Sequence, residues 1–207
     1  MSTVTVIGSG NVGTAVAGLM AKAGASLQIV DRDAEKAAGL AGQVKGTSAT
    51  FGEPITGDVV VLALPFPALE SIAVTYKDQL AGKVVVDVTN PVDFATFDSL
   101  VVPADSSAAA ELASVLPGAK VLKAFNTTFA GVVASGALGA NDVAVLVAGD
   151  DADAKKTLID LVDAGGLRGV DAGSLKRARE MEAMAFLQMA LAAAGTISWT
   201  GGFALVD

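Results

Sequence analysis

The sequence predicts an α/β fold built on a mostly parallel, doubly wound sheet, with a small carboxyl-terminal helical part packed on it. Three observations carry that prediction. Short aliphatic and β-branched runs recur along the chain, as at Val4 to Ile7, Asp58 to Leu64 and Lys83 to Val88. Segments with apolar residues at helical spacing lie between them, the alternation that a parallel sheet requires. The third observation is a glycine turn, Gly8-Ser9-Gly10-Asn11-Val12-Gly13, joining the first such strand to the first such helix.

Val4, Val6 and Ile7 read as a buried strand, and Val12, Val16, Leu19 and Met20 as the helix behind it. Between them Gly8, Gly10 and Gly13 give the spacing G-x-G-x-x-G. Gly8 permits a tight turn, Gly10 leaves room for a pyrophosphate against the backbone, and Gly13 lets the helix lie close on the sheet. The free N–H groups of that helix's first turn then face an anion. Gly24 ends the helix, and Leu27 to Val30 form a second strand closing on Asp31. An acidic residue about 20 positions past the glycines is where dinucleotide folds hold the adenosine ribose. Strand, turn, helix, second strand and acidic end agree, so Thr3 to Asp31 reads as a dinucleotide-binding unit rather than a plain structural turn.

The length, 207 residues, suits one domain over residues 1–207, with residues 130–207 as a carboxyl-terminal extension containing a long helix. A hydrophobic fraction of 52% with 17% charge implies a large core and little disorder. The net charge of −8 argues against nucleic-acid and anionic-membrane partners. It does not exclude an anionic cofactor, because helix-terminal amides bind phosphate locally. The chain has no cysteine and no histidine, which excludes thiol nucleophiles, iron–sulfur clusters, disulfides, the usual zinc sites and imidazole acid–base chemistry. The one tyrosine is Tyr76. This scarcity favours a redox reaction that depends on positioning rather than on protein proton transfer. The opening segment has no basic leader, and Ala183 to Trp199, although uncharged, is interrupted by Gln188, Gly195, Thr196 and Ser198. It reads as a buried or dimer-forming helix rather than a membrane span, and the expected location is the cytoplasm.

The remaining elements follow in order. Asp33 caps a helix with Glu35 in its first turn, and Arg32 and Lys36 point toward the adenosine end. Gly46 to Phe51 forms a short third strand. Asp58 to Leu64 is nearly all apolar, as a central strand covered on both faces should be. It ends at Leu64-Pro65-Phe66, which places Pro65 and Phe66 at a carboxyl sheet edge, where they are candidates to line a nicotinamide site. Lys83 to Val88 runs into Thr89-Asn90-Pro91, so Asn90 is held extended with its amide at the same edge. Residues 93–104 read as a loop, and Ser106 or Ser107 caps a helix running to Leu116. Val121 to Phe125 is a strand ending in Asn126-Thr127-Thr128, a second polar cluster at a strand's carboxyl end. Asp142 to Ala148 is a further strand, followed by a helix through Val162 and a long helix over about residues 174–194.

The fingerprint Val6-Ile7-Gly8-Ser9-Gly10-Asn11-Val12-Gly13, the strand end Leu62-Ala63-Leu64-Pro65, the segment Val121-Leu122-Lys123-Ala124-Phe125-Asn126-Thr127, and Asp171-Ala172-Gly173 with its charged helix fall in one order. Together they resemble the coenzyme F420-dependent NADP reductases. They are also similar to the cytosolic domain of six-transmembrane metalloreductases. The resemblance implies a Rossmann-type domain, usually homodimeric, passing hydride between NADP or NAD and a deazaflavin (coenzyme F420) or a flavin, with no catalytic side chain and no metal. By matching positions it places Ser9 to Val12 at the pyrophosphate, Asp31, Arg32 and Lys36 at the adenosine end, and Phe66 and Ala130 on the nicotinamide side. Family members specific for NADP carry a small hydroxyl residue where this chain has Asp31. A carboxylate repels a 2′-phosphate and suits ribose hydroxyls, while Arg32 pulls the other way. Weak discrimination or a preference for NAD is the expectation.

Two other readings stand beside this one. The first is a non-catalytic NAD(P)-binding regulatory module. The second is a reductase of a small imine or carbonyl, with Lys123 as proton donor, although a lysine inside a strand more readily serves structure.

Overall fold

In the computed structural model, which describes residues 2–206, the predicted strands assemble into one eight-stranded sheet. The strands are β1 (Thr3–Ile7), β2 (Ser26–Asp31), β3 (Thr47–Thr50), β4 (Val59–Leu62), β5 (Val84–Asp87), β6 (Lys120–Ala124), β7 (Ala144–Gly149) and β8 (Arg168–Gly173). They lie in the order β3-β2-β1-β4-β5-β6-β7-β8. From β3 to β6 all neighbours are parallel; β7 runs antiparallel to β6, and β8 parallel to β7. The sheet is thus Rossmann-type and mostly parallel, with its order reversing between β1 and β4. The carboxyl-terminal part is more than helical, since β7 and β8 continue the sheet.

Alternation along the strands assigns side chains to two faces. Val4, Val6, Val59 and Val61 join one buried cluster with Val16, Leu19 and Met20 of α1 (Asn11–Lys22). The same cluster takes in α2 (Ala34–Val44), α5 (Ala130–Ser135) and α6 (Ala152–Ala164). Ile7, Val60 and Leu62 join the other, under α3 (Leu69–Leu80), α4 (Ala108–Val115) and the start of α7 (Ala178–Ala193). These valines are 2% exposed or less, and burial of each stabilises the fold by about 1.5–3 kcal/mol.

Short polar residues set the helix starts. Asp33 accepts from the N–H groups of Glu35 and Lys36, Ser107 from Ala110, and Asp151 from Ala154. The long final helix begins later than its periodicity suggests, because Leu175–Arg177 form a 3-10 turn first. The loop after β5 contains no helix or strand. Its Phe97, with φ at 54°, packs 6.1 Å from Phe186 of α7 and ties the loop to that helix. Among the described residues no helix is long and apolar enough to cross a membrane.

Candidate dinucleotide site

Ile7 registers with Val30 on one side and Leu62 on the other, so Gly8, Asp31 and Ala63 emerge together where the strand order reverses. Gly8 sits at φ +105° and its N–H donates to the Val30 carbonyl at 2.8 Å. A Cβ on Gly8 would lie 2.2 Å from the Ala63 carbonyl oxygen, and one on Gly13 would lie 1.9 Å from the Gly8 carbonyl oxygen. Both glycines are required by the protein's own packing. Gly10 is different. Its φ is −72°, open to any residue, and nothing lies within 4 Å of where its Cβ would stand. It is also the N-cap of α1, and no side chain closes that first turn. The space and the amides there suit an anion from outside the chain.

Asp31 reaches back onto this turn. One carboxylate oxygen accepts from the Ser9 N–H at 2.8 Å and the Ser9 hydroxyl at 2.6 Å, and the other accepts from the Asp33 N–H at 3.0 Å. Burial alone would raise this carboxyl; the Ser9 hydroxyl and the backbone N–H groups of Asp33, Ser9 and Arg32 outweigh it and hold the group below the usual carboxylate value. Asp31 is therefore ionised at neutral pH and braces the glycine turn from the end of β2.

Two cavities flank the start of α1. One, of about 220 Å³, is lined by Gly8, Ser9, Gly10, Asp31, Arg32, Leu64 and Pro65. The other, of about 650 Å³, is lined by Asn11, Val12, Phe129, Ala130 and Trp199. The uncapped helix end lies between them, with Gly10 on one cavity and Asn11 and Val12 on the other. Two ring-bearing halves joined by a diphosphate match this layout. Phe129 and Trp199 pack at 5.0 Å between ring centroids and make an aromatic wall that the sequence did not announce.

Lys36 and Phe66 lie away from both cavities. Lys36 is on the outer side of α2, its side chain 70% exposed and paired with Asp33 at 3.4 Å. Phe66, expected beside a nicotinamide, lines neither of these cavities, because the chain after Pro65 winds into a 3-10 turn, Phe66–Ala68. It lines a groove of about 430 Å³ between α3 and α4 instead. Asn90 and Asn126 face each other: the Asn90 amide donates to the Asn126 carbonyl at 3.3 Å, and the Asn126 amide donates to Asn90 Oδ1 at 3.2 Å.

Lys123 cannot serve as a proton donor to a ligand. It is fully buried, and its Nζ donates to Asp87 at 2.8 Å, to Glu182 at 2.7 Å and to the Thr89 carbonyl at 2.6 Å. Burial pushes the Glu182 carboxyl up, against the lowering pull of the Lys123 ammonium and the Ala108 N–H. Tyr76 is equally occupied, buried in α3 with its hydroxyl oxygen accepting from the Gly52 N–H.

Sheet order, switch point and uncapped glycine turn define the chain as a Rossmann-type nucleotide-binding fold. The model of a family described as NADP oxidoreductase coenzyme F420-dependent matches residues 3–91. The F420-dependent NADP reductase of Methanothermobacter thermautotrophicus is 32% identical over 201 residues, covering 88% of this chain and 85% of that protein. This chain belongs to the F420-dependent NADP oxidoreductase family. It is also 33% identical over 182 residues to the metalloreductase STEAP3 of Rattus norvegicus, covering 87% of this chain. The match spans 36% of the length of the rat protein and 62% of the Methanocaldococcus jannaschii F420-dependent NADP reductase. A solved Arthrobacter sp. FB24 protein, named provisionally as an F420-dependent NADP reductase, superposes with a TM-score of 0.88 at 26% identity over the full length of both chains.

Proposed function

We propose that the protein is an NAD(P)-dependent oxidoreductase that exchanges hydride with a deazaflavin such as coenzyme F420, or with a flavin, over residues 1–207 acting as one nucleotide-binding domain. The observation that carries this reading is the open space at Gly10, at the start of a helix with no cap, between two cavities. In the proposal the Ser9 to Val12 turn holds the diphosphate, and Asp31 and Arg32 meet the adenosine ribose. Val12, Phe129, Ala130 and Trp199 form an apolar wall that holds the redox ring and keeps water from it. Once bound there, a nicotinamide ring supplies or accepts the hydride.

The choice of a second ring over an imine or carbonyl is supported by the two candidate proton donors, Lys123 and Tyr76, both buried and engaged. The expected homodimer is supported by Phe94 and Leu187, apolar side chains left 66% and 55% exposed. Absorbance assays of the purified protein with NADH and NADPH, each against deazaflavin, flavin and quinone acceptors, test the reading. Oxidation of the nucleotide with deazaflavin or flavin is expected; no turnover with any deazaflavin or flavin would refute it.

The Ser9–Asp31 contact makes a second expectation specific. An ionised Asp31 beside Arg32 leaves the native chain with weak discrimination or a preference for NADH. Asp31→Ser removes the negative charge and leaves Arg32, so the ratio of NADPH to NADH affinity should rise about tenfold or more. A tenfold preference for NADPH in the native protein would contradict this account.

A further inference from the structure

Behind the sheet edge, three charged side chains from distant parts of the sequence meet with no exposure to solvent. Lys123 of β6 lies between Asp87 of β5 and Glu182 of α7, all at 0% exposure. Burying charges costs free energy that the ion pairs at best offset, so such a cluster is a poor device for stability alone. Its hydrogen bonds show what it holds. Asp87 accepts from the Thr89 N–H at 2.9 Å, and Lys123 donates to the Thr89 carbonyl at 2.6 Å. Both backbone groups of the residue before Asn90 are thereby pinned. Asn90 in turn pairs with Asn126, which follows Phe125, a residue held at φ +64°. A buried phenylalanine in the left-handed region is strained and persists only where its surroundings impose it.

The same edge carries two buried side-chain oxygens without a hydrogen-bond partner among the described residues, Thr89 Oγ1 and Asn126 Oδ1. Most buried polar atoms are satisfied, so two open ones at a single edge call for an explanation beyond the packing of the fold. Glu182 adds a link to the rest of the chain, since its second oxygen accepts from the Ala108 N–H at 3.0 Å, at the start of α4.

We propose that Asp87, Lys123 and Glu182 are positioning residues: their buried network fixes the Thr89-Asn90 and Phe125-Asn126 turns as the rest for the nicotinamide half of the cofactor. The proposal rests on the nucleotide reading above and assigns the network no contact with the ligand. It acts through Asn90 and Asn126 alone, so the adenosine half should not sense it.

The test compares matched ligands by calorimetry: NADH with ADP-ribose, and NADPH with 2′-phospho-ADP-ribose. Lys123→Met by itself would leave two carboxylates buried together and endanger folding. The variant used is therefore the neutral triple, Asp87→Asn with Lys123→Met and Glu182→Gln, which keeps volume and removes charge together. It is expected to weaken the dinucleotides about tenfold or more, with the ADP-ribose ligands held within about twofold of native. Equal losses for both ligand types, or no loss for either, would overturn the proposal, as would a native protein that binds the dinucleotides no tighter than their ADP-ribose halves. A native protein that binds none of the four would instead overturn the nucleotide reading on which it rests.

Discussion

Gly10→Val is expected to fold as the native chain does and to bind NADH and NADPH about a hundredfold more weakly, or worse, a loss of about 2.7 kcal/mol. The expected loss is steric and specific to this glycine. At φ −72° the backbone accepts a side chain, and beyond its chain neighbours no atom lies within 4 Å of the new Cβ, so that atom enters open space. The branched side chain would stand over the first turn of α1, in the space proposed for the diphosphate. Thermal melts combined with nucleotide titration check both halves of the expectation. Gly13→Ala makes the contrast, because its Cβ would lie 1.9 Å from the Gly8 carbonyl oxygen and the helix would have to move off the sheet. That variant should lose stability and binding together.

Lys123→Ala is expected to destabilise the fold by about 3–5 kcal/mol, the usual cost of removing one member of a buried ion pair. Measured against a domain stability of about 5–15 kcal/mol, this is a large fraction. The lysine is the shared partner of two carboxylates that would otherwise face each other without solvent, and its long side chain fills space that alanine would leave empty. Glu182→Gln should cost less. Burial already pushes the Glu182 carboxyl up, so the charge removed is one the site disfavours. Urea unfolding of the two variants beside the native protein gives the comparison, and equal losses would contradict the account, because they would show that the Glu182 charge stabilises the fold as much as the whole lysine side chain does.

The amino-terminal half of this architecture is legible because its determinants are local. Gly8, Gly10 and Gly13 lie between a strand and a helix of clear periodicity, and Asp31 and Asp33 announce a strand end and a helix cap by residue type alone. What escaped the sequence depends on contacts between distant residues or on direction. A strand's composition does not state which way it runs, so β7 gave no sign that it lies antiparallel to β6. The helix α5 has six residues, too few to show a period, and it ends where Gly136 turns to φ +69°. Phe66 was placed correctly at a strand's carboxyl end, but the 3-10 turn after Pro65 carries its ring to the groove between α3 and α4. Glu182 lies 74 residues from the Ala108 N–H that it accepts, a relation that no local pattern encodes. Trp199 reached the second cavity from a segment read as the end of a helix; the helix stops at Ala193, and the chain beyond it folds back over α5.

Trp199 also supplies the most direct test, since it is the single tryptophan of the chain and borders the cavity assigned to the redox ring. Reduced nicotinamide absorbs in the range where indole emits. If the diphosphate sits on the first turn of α1, titration with NADH or NADPH should quench the tryptophan emission to a saturating limit. ADP-ribose, which lacks the ring, should bind with little quenching. Saturable quenching by neither dinucleotide would contradict the account.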